Sequence, residues 1–567
     1  MSDQPWIKSY PAGSSWDIEV PNTPITHLLD NAVTHWPNNT ALDFLGKKVS
    51  YAELGDLVDR AAKGFQEIGV GPGVHVGLFL PNVPHMVIAF FAILKAGGTV
   101  VNYSPLDAER ELRHKIEDSH TDIMVTLSLK ALYPMVGKLL RDTRLNKVVV
   151  GALQDFLPFP KNLLFPLVKG KEIADVPKDA NHVPFKQLIG NDGRLSKPDI
   201  GDPADVLAVL QYTGGTTGVP KGAMLTHGNL MAAYTQFASF NDGDEKVAIP
   251  GEERILAVLP LFHIYALTLI LLFGIGGGAQ IILHPRFELD AVMKDLHGKK
   301  PTIFPGVPTM YTAIINHPKI AEHDLSSLKF CASGGAPLPL EVQQKFQTIT
   351  GCKLVEGWGM TETAPAGCST PVHGVYKEGS CGIPLPGITM AIYDVEDPAK
   401  ALGLTDVGEI CIKGPNVMKA YWQKPEATAE SFNADGFFRT GDTGYMDDDG
   451  YIFIVDRLKD MLTCSGYNVY PRNIEEAIYL HESVEEVTVI GIPDDYRGQA
   501  PKAFIKLKDG ATAFNLEELQ TFLSDKLGRH EMVSEMDIRP ELPKTLVGKL
   551  SKKELVEEEE KKRASAA

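Results

Sequence analysis

The sequence predicts an α/β protein with a large multi-subdomain N-terminal domain of α/β layers and a small α+β C-terminal domain. Three observations predict it. At 567 residues the chain exceeds what one hydrophobic core normally supports. Amphipathic helical segments alternate with short apolar runs along most of its length. A loop of glycines and threonines, residues 213–218, lies between two apolar strand-like runs, a setting in which backbone amides and hydroxyls can face an anion.

Taken in order, residues 54–68 have helical period, 74–80 read as a strand, and 86–95 read as a helix ended by Gly97 and Gly98. Residues 153–168 are irregular and apolar, with three prolines that forbid a long helix. This segment reads as a packed insertion, and a membrane-surface patch is the alternative. From 206 to 230 the pattern is strand, loop, strand, helix. Residues 255–285 contain no Asp, Glu, Lys or Arg, which is long enough to span a bilayer. Pro260, His263, four glycines between Gly274 and Gly278, and Gln280 break that run into strand, short helix and strand, each suited to a large α/β core. Beyond residue 460 strand and helix alternate on a smaller scale, a helix begins near Pro471, and the charged tail reads as a solvated, frayed end.

Composition excludes several classes. Lys and Arg total 55 against 72 Asp and Glu, a net charge of −17, which argues against a nucleic-acid binder. The six cysteines form no C-x-x-C pair and no zinc-spaced cluster, so reduced, buried thiols and a cytoplasmic location are expected. The N-terminus lacks the basic and apolar regions of a signal peptide.

Five stretches carry chemistry. The first is Y-T-G-G-T-T-G-V-P-K-G, in which Thr213, Gly214, Gly215, Thr216, Thr217 and Gly218 suit a polyphosphate and Lys221 adds a compact charge. It is not a Walker A loop, because Pro220 precedes the lysine and Gly222 follows it. A mobile surface loop is the alternative. The second, S-G-G-A-P-L-P from Ser333, is a glycine turn between strand and helix whose backbone could approach a flat ring. The third, G-W-G-M-T-E-T from Gly357, sets an aromatic, a hydroxyl and a carboxylate in one turn. The fourth is F-F-R-T-G-D-T-G-Y-M-D-D-D-G-Y, residues 437–451. There Asp447 to Asp449 read as a solvated hairpin turn, while Asp442 follows a glycine at a strand end. The fifth group is D-R-L-K-D at 456–460, S-G-Y at 465–467, and P-K-T-L-V-G-K-L at 543–550.

These stretches, in this order, resemble the adenylate-forming superfamily of acyl-CoA synthetases, luciferases and peptide-synthetase adenylation domains. Y-T-G-G-T-T-G, L-P-L-F-H-I-Y-A-L at 259–267 and S-G-Y-N-V-Y-P are most similar to bacterial long-chain fatty-acid CoA ligases. The resemblance implies residues 1–456 as an AMP- and acyl-binding domain, 457–460 as a hinge swivelling at Lys459, and 461–567 as a mobile lid domain. It implies that Gly334, Gly335 and Ala336 line an adenine pocket with Gly357 and Gly359, and that Trp358 stacks on the base. By the same resemblance Thr361 contacts phosphate, Glu362 and Thr216 hold Mg²⁺, Asp442 and Arg457 hold the ribose, and Lys549 reaches ATP and the carboxylate. Ser465, Gly466 and Tyr467 would flank the CoA path, and His263 and Leu267 the acyl pocket; a core histidine is the equal alternative for His263.

The implied reaction is fatty acid, ATP and CoA giving acyl-CoA, AMP and pyrophosphate. An acyl-AMP ligase or a medium-chain synthetase on the same fold is the alternative. Expected partners are fatty acid, ATP and CoA, with no nucleic acid. A homodimer is a candidate assembly, and peripheral contact with the inner face of a membrane is the alternative reading of 153–168.

Overall fold

The computed structural model describes residues 4–213, 220–240, 243–464, 467–494, 497–544 and 550–566. The helix Tyr51–Glu67 shows how periodicity becomes packing. Ser50 Oγ accepts from the Glu53 amide at 3.2 Å while the Glu53 carboxylate accepts from the Ser50 amide at 2.7 Å, so two orphan amides are satisfied reciprocally. Leu54, Val58, Ala61 and Phe65 then form one fully buried stripe. Gly69, at φ 100°, turns the chain out of the helix. The next helix, Pro84–Lys95, is apolar on every side and is buried on every side except at its last residue.

The described residues form four sheets. In an eight-stranded sheet, His75–Phe79, Thr99–Tyr103, Thr121–Leu127 and Lys147–Gly151 run parallel, and Leu207–Tyr212 joins Thr99–Tyr103 in the same sense. Gly222–Thr226 then returns antiparallel, so the Gly/Thr loop connects two adjacent strands. In a nine-stranded sheet, Arg254–Ala257, Ile303–Gly306, Phe330–Ser333 and Lys353–Trp358 are parallel neighbours. Their carboxyl ends lie side by side and deliver Gly334 and Trp358 to one edge, the edge at which open α/β sheets bind ligands. The charge-free run divides as expected into the strand Arg254–Ala257, a helical stretch from Ile264 to Gly276 and the strand Gln280–Leu283. That helical stretch includes a π turn, Leu267–Leu272. Among the described residues no helix is long and apolar enough to cross a membrane.

A four-stranded antiparallel sheet follows, Thr389–Tyr393, Gly408–Lys413, Phe438–Met446 and Ile452–Arg457. One continuous core extends from Trp6 to Ile452, and separate smaller cores begin at Leu462. The long hairpin Val484–Asp494 with Gly498–Leu507 organises this last part. It is joined to the rest through Asp456. One carboxylate oxygen accepts from the Arg472 amide at 2.9 Å, at the start of the helix Pro471–Tyr479, and the other accepts from the Arg457 amide at 2.7 Å.

Three sequence expectations are corrected. The charged tail is a helix, Lys552–Ala566, with Leu555 buried and its acids paired to distant cations: Glu559 with Lys502 at 3.0 Å and Glu558 with Arg539 at 2.7 Å. The Asp447–Asp449 turn is not simply solvated, since Lys377 bonds Asp447 and Asp449 and Lys8 binds Asp449 at 2.9 Å. Asp442 is mid-strand, not at a strand end. Residues 153–168 fold in two parts. Phe156 and Leu157 are buried as a packed insertion requires, but the helix Lys161–Val168 has no buried residue. All six cysteines are free and buried.

Candidate active site

The carboxyl edge of the nine-stranded sheet opens into a cleft of about 2980 Å³, which reaches across to Arg472, Glu475 and Lys552 of the C-terminal part. This exceeds a single-ligand pocket, for which roughly 300–1,000 Å³ is usual, and has room for several substrates at once. Thr213, Lys221, His263, Gly334, Gly335, Ala336, Gly357, Trp358, Gly359, Thr361, Glu362, Asp442, Arg457 and Lys459 all line it. Gly214, Gly215, Thr216, Thr217, Gly218, Ser465, Gly466 and Lys549 lie outside the described residues.

At its centre Trp358, Asp442 and Arg457 form one cluster. Trp358 Nε1 donates to Asp442 Oδ2 at 2.8 Å. Arg457, paired with Asp442 across the antiparallel strands, sets its Nε 3.4 Å from Oδ1. Burial raises the Asp442 carboxyl, and the Arg457 charge and the indole N–H work against that rise. The result is a carboxylate with fixed geometry beside an aromatic face, able to accept from vicinal hydroxyls while the indole packs a planar ring. Gly359 keeps this corner tight, because a Cβ there would stand 1.5 Å from the Pro365 carbonyl oxygen.

Glu362 is buried on the short turn Thr361–Thr363. Its Oε1 accepts from the Tyr421 hydroxyl at 2.7 Å. Burial raises this carboxyl, while the Tyr421 bond and the Lys221 charge oppose the rise. Lys221 Nζ sits 4.4 Å from the centre of the Tyr421 ring. Tyr421 therefore joins the lysine of the first motif to the carboxylate of the third, a link no motif indicated; the only sequence signal was a Tyr-Trp pair ahead of Gln423 and Pro425. Lys459 lines the cleft with its ammonium held below the ordinary lysine range by burial, then by the Arg457 charge.

Glu356 was also missed. It faces the cleft one residue before Gly357, and burial pushes it up to about 7 while the Arg472 charge pulls the other way. His263 is half-buried, its Nδ1 accepting from the Tyr265 amide at 3.3 Å, and it lines the cleft instead of lying in the core. Leu267 does not: it is fully buried, and Leu269 and Phe273 of the same helical stretch reach the cleft in its place. Leu267 opens the π turn Leu267–Leu272 and packs wholly into the core. Tyr467 is not a lining residue either; it is 62% exposed with its ring 5.0 Å from that of His530.

Comparison with known proteins gives consistent matches. Residues 29–422 match the AMP-binding enzyme family and residues 473–549 the AMP-binding enzyme C-terminal domain. A long-chain-fatty-acid–CoA ligase of Bacillus subtilis (strain 168) is 40% identical over 562 residues, covering 99% of both chains. One from Salmonella typhimurium is 36% identical over 564 residues, covering 98% of both. Among solved structures, ATP-bound MatB from Rhodopseudomonas palustris superposes with a TM-score of 0.82 at 27% identity, covering 94% of this chain and 99% of that one. The apo form of MatB gives 0.74 at the same identity and coverage.

Proposed function

Because the chain belongs to the AMP-binding enzyme family, as an acyl-CoA ligase of the adenylate-forming superfamily using ATP and CoA, we propose that its acid substrate is a long-chain fatty acid. The observation that carries this reading is one cleft that joins the Trp358, Asp442 and Arg457 cluster to an apolar wall of Leu269, Phe273, Val307 and Ile315. The greater likeness to ATP-bound than to apo MatB supports a nucleotide-competent arrangement of the two parts.

In the first step a carboxylate oxygen attacks the α-phosphorus of ATP, the bond to the bridging oxygen breaks, and pyrophosphate leaves with the electron pair. In the second the CoA sulfur attacks the acyl carbonyl, its proton is lost, and AMP leaves. The first step needs no general base, since a carboxylic acid of pKa about 4 to 5 is already ionised at pH 7. The difficulty is bringing two anions together, so oriented positive charge and donors do the work. Lys221, with the glycine and threonine amides and hydroxyls of residues 213–218, would cradle the phosphates. Thr361 would donate to phosphate, Asp442 and Arg457 would fix the ribose, and Trp358 would pack the base within the glycine-lined pocket of Gly334, Gly335, Ala336, Gly357 and Gly359. Lys549 would approach ATP and the carboxylate from the C-terminal part, and His263 would border the carboxylate end of the acyl site.

Glu362 fits a role beside Mg²⁺. Among the described residues no group of three His, Cys, Asp or Glu could hold a metal alone. A single buried carboxylate plus substrate phosphates is a usual Mg²⁺ environment, and Thr216 would add a hydroxyl. The ion would neutralise charge on the phosphate oxygens. Residues 457–460 would serve as hinge between 1–456 and 461–567, with Ser465, Gly466 and Tyr467 brought to the CoA path when the small domain rotates about Lys459. The test is pyrophosphate release across C2 to C20 acids, with and without CoA. Rates should climb with chain length, and AMP release should require CoA; equal turnover of acetate and palmitate rejects the long-chain reading.

A further inference from the structure

We propose that Gln211 is a positioning residue for adenylation, acting through Phe262 to set His263 against the phosphate-binding end of the cleft. Gln211 lies two residues ahead of Thr213, on the strand Leu207–Tyr212. Its Nε2 donates to the Phe262 carbonyl at 3.0 Å. Its Oε1 accepts from Asn102 Nδ2 at 2.9 Å. Gln211 therefore belongs by covalent bonds to the segment that runs into the Gly/Thr loop, and by a hydrogen bond to the segment that ends in His263.

Strand register accounts for the bridge. Val100 and Val101 pair with Val209 and Leu210, so the next step along both strands sets Asn102 beside Gln211 on one face of the sheet. Both side chains are buried, and both border the cleft together with Phe262. A carbonyl can only accept, so Phe262 fixes which end of the Gln211 amide faces it, and Gln211 in turn fixes the Asn102 amide. The donors run in one direction, from Asn102 to Gln211 to Phe262. Leucine at 211 would suit a strand in this core as well; what the amide adds is a fixed distance between two loops.

The bridge crosses a seam between the two large sheets. The Gly/Thr loop follows a strand of the eight-stranded sheet, whereas residues 258–263 leave the carboxyl end of Arg254–Ala257 in the nine-stranded sheet. A second amide braces the same loop. Buried Asn82, just beyond the strand His75–Phe79, donates to the carbonyls of Ala257 at 3.1 Å and Leu259 at 2.8 Å and accepts from the Leu261 amide at 2.8 Å. Asn82 thus holds the start of the loop, and Gln211 holds its far end, one residue before His263. Thr213 and His263 both line the cleft and are tied by this short path. The first half-reaction brings a carboxylate against the α-phosphorus, a geometry in which about 1 Å of misplacement can cost roughly 10² in rate. The inference rests on the proposed place of His263 at the carboxylate end of the acyl site.

The test is pyrophosphate release by the full-length protein with its best-used acid, with thermal melts alongside. Gln211→Leu should lower kcat about 10²-fold and leave KM for ATP near the parent value, because the lost contact serves the transition state. His263→Ala should lose a comparable factor. The double variant should then fall no more than about threefold below the worse single one, where independent losses would multiply to roughly 10⁴. Asn102→Leu keeps the Phe262 bond but frees the Gln211 amide to turn, so it should lose less than Gln211→Leu. Gln211→Glu supplies a readout that a general loss of packing would not move. Protonated, its carboxyl donates to Phe262 and accepts from Asn102 as the amide does; ionised, it cannot donate. A buried carboxyl keeps its proton toward neutral pH, so the Gln211→Glu rate relative to the parent should rise as pH falls, while that of Gln211→Leu stays flat. Multiplied losses in the double variant, or equal and pH-independent losses in the leucine and glutamate variants, overturn the inference and leave the place of His263 standing. His263→Ala at the parent rate overturns both. If Gln211→Leu does not fold, Gln211→Glu across pH, alone and combined with His263→Ala, makes the same comparisons.

Discussion

Replacing Tyr421 by phenylalanine removes one oxygen and leaves the ring. That oxygen donates to Glu362 at 2.7 Å, while the ring holds Lys221 at 4.4 Å, so the variant separates two contacts made by one side chain. A hydrogen bond to a charged group contributes about 1.5–3 kcal/mol. If Glu362 serves the phosphates and their cation, kcat/KM for ATP should fall roughly 10- to 150-fold at 1.36 kcal/mol per decade. Tyr421→Leu should lose a further 0.5–2 kcal/mol, roughly, as the lysine loses its aromatic partner. Pyrophosphate release should be followed at saturating fatty acid, with ATP varied at several fixed concentrations of free Mg²⁺ and thermal melts run in parallel. The phenylalanine variant should need more Mg²⁺ for half-maximal rate. A phenylalanine variant within twofold of the parent at every Mg²⁺ concentration would refute the argument that Tyr421 positions Glu362.

Gly359→Ala forces a Cβ to within 1.5 Å of the Pro365 carbonyl, so the backbone must move; a melting-point loss equivalent to about 1–3 kcal/mol or more is expected, with adenylation suffering more than stability. Burial raises Glu356 from 4.5 to about 7. Between those values the native state keeps a proton that the unfolded chain has released, so this residue lowers stability as pH rises through the window. Glu356→Gln should match the parent in denaturant melts near pH 4 and exceed it near pH 8 by about 1–3 kcal/mol; equal differences at both pH values contradict this. Lys549→Ala should cripple adenylation, by about 10²–10³-fold for one electrostatic contact, while sparing thioester formation from supplied acyl-AMP, and Gly466→Leu should do the reverse. Separate assays of the two half-reactions check the pair, and equal loss of both in both variants would count against a rotating lid.

Where periodicity was strong, the sequence was a good guide. The helix expected at 54–68 is Tyr51–Glu67, and that expected at 86–95 is Pro84–Lys95. The capping box and the flanking glycines lie next to the segments they delimit, so local chemistry sufficed. Trp358 and Glu362, singled out within one motif, do both line the cleft, since residues so near in sequence are delivered together by the end of one strand. Tyr421 and Glu356 were not, since each acquires meaning from a partner 59 residues away in one case and from the opposed C-terminal part in the other. The tail misled because a run of glutamates reads as solvated until Lys502, on the strand Gly498–Leu507, and Arg539, just beyond the strand Glu535–Ile538, are brought against it. Leu267 was placed at the acyl pocket by family resemblance alone, and position in a motif does not tell which side of a buried helix a leucine faces; here it packs wholly into the core.

If the acyl chain lies along the apolar wall, as proposed, that segment would help to set the acid length the site accepts. Thr268 donates to the Ala364 carbonyl at 2.7 Å, tying the π turn to the turn that carries Glu362. On the proposed long-chain reading the helical stretch would act as a ruler clamped beside Glu362, with Leu269 and Phe273 as marks on its scale. A π turn takes up one residue more than the α turn it replaces, so removing one residue from Leu267–Leu272 would restore α-helical winding and leave Phe273 near its place, while changing which residues between the clamp and Phe273 face the cleft. A single deletion could recalibrate selectivity in this enzyme where many substitutions would merely reshape the floor.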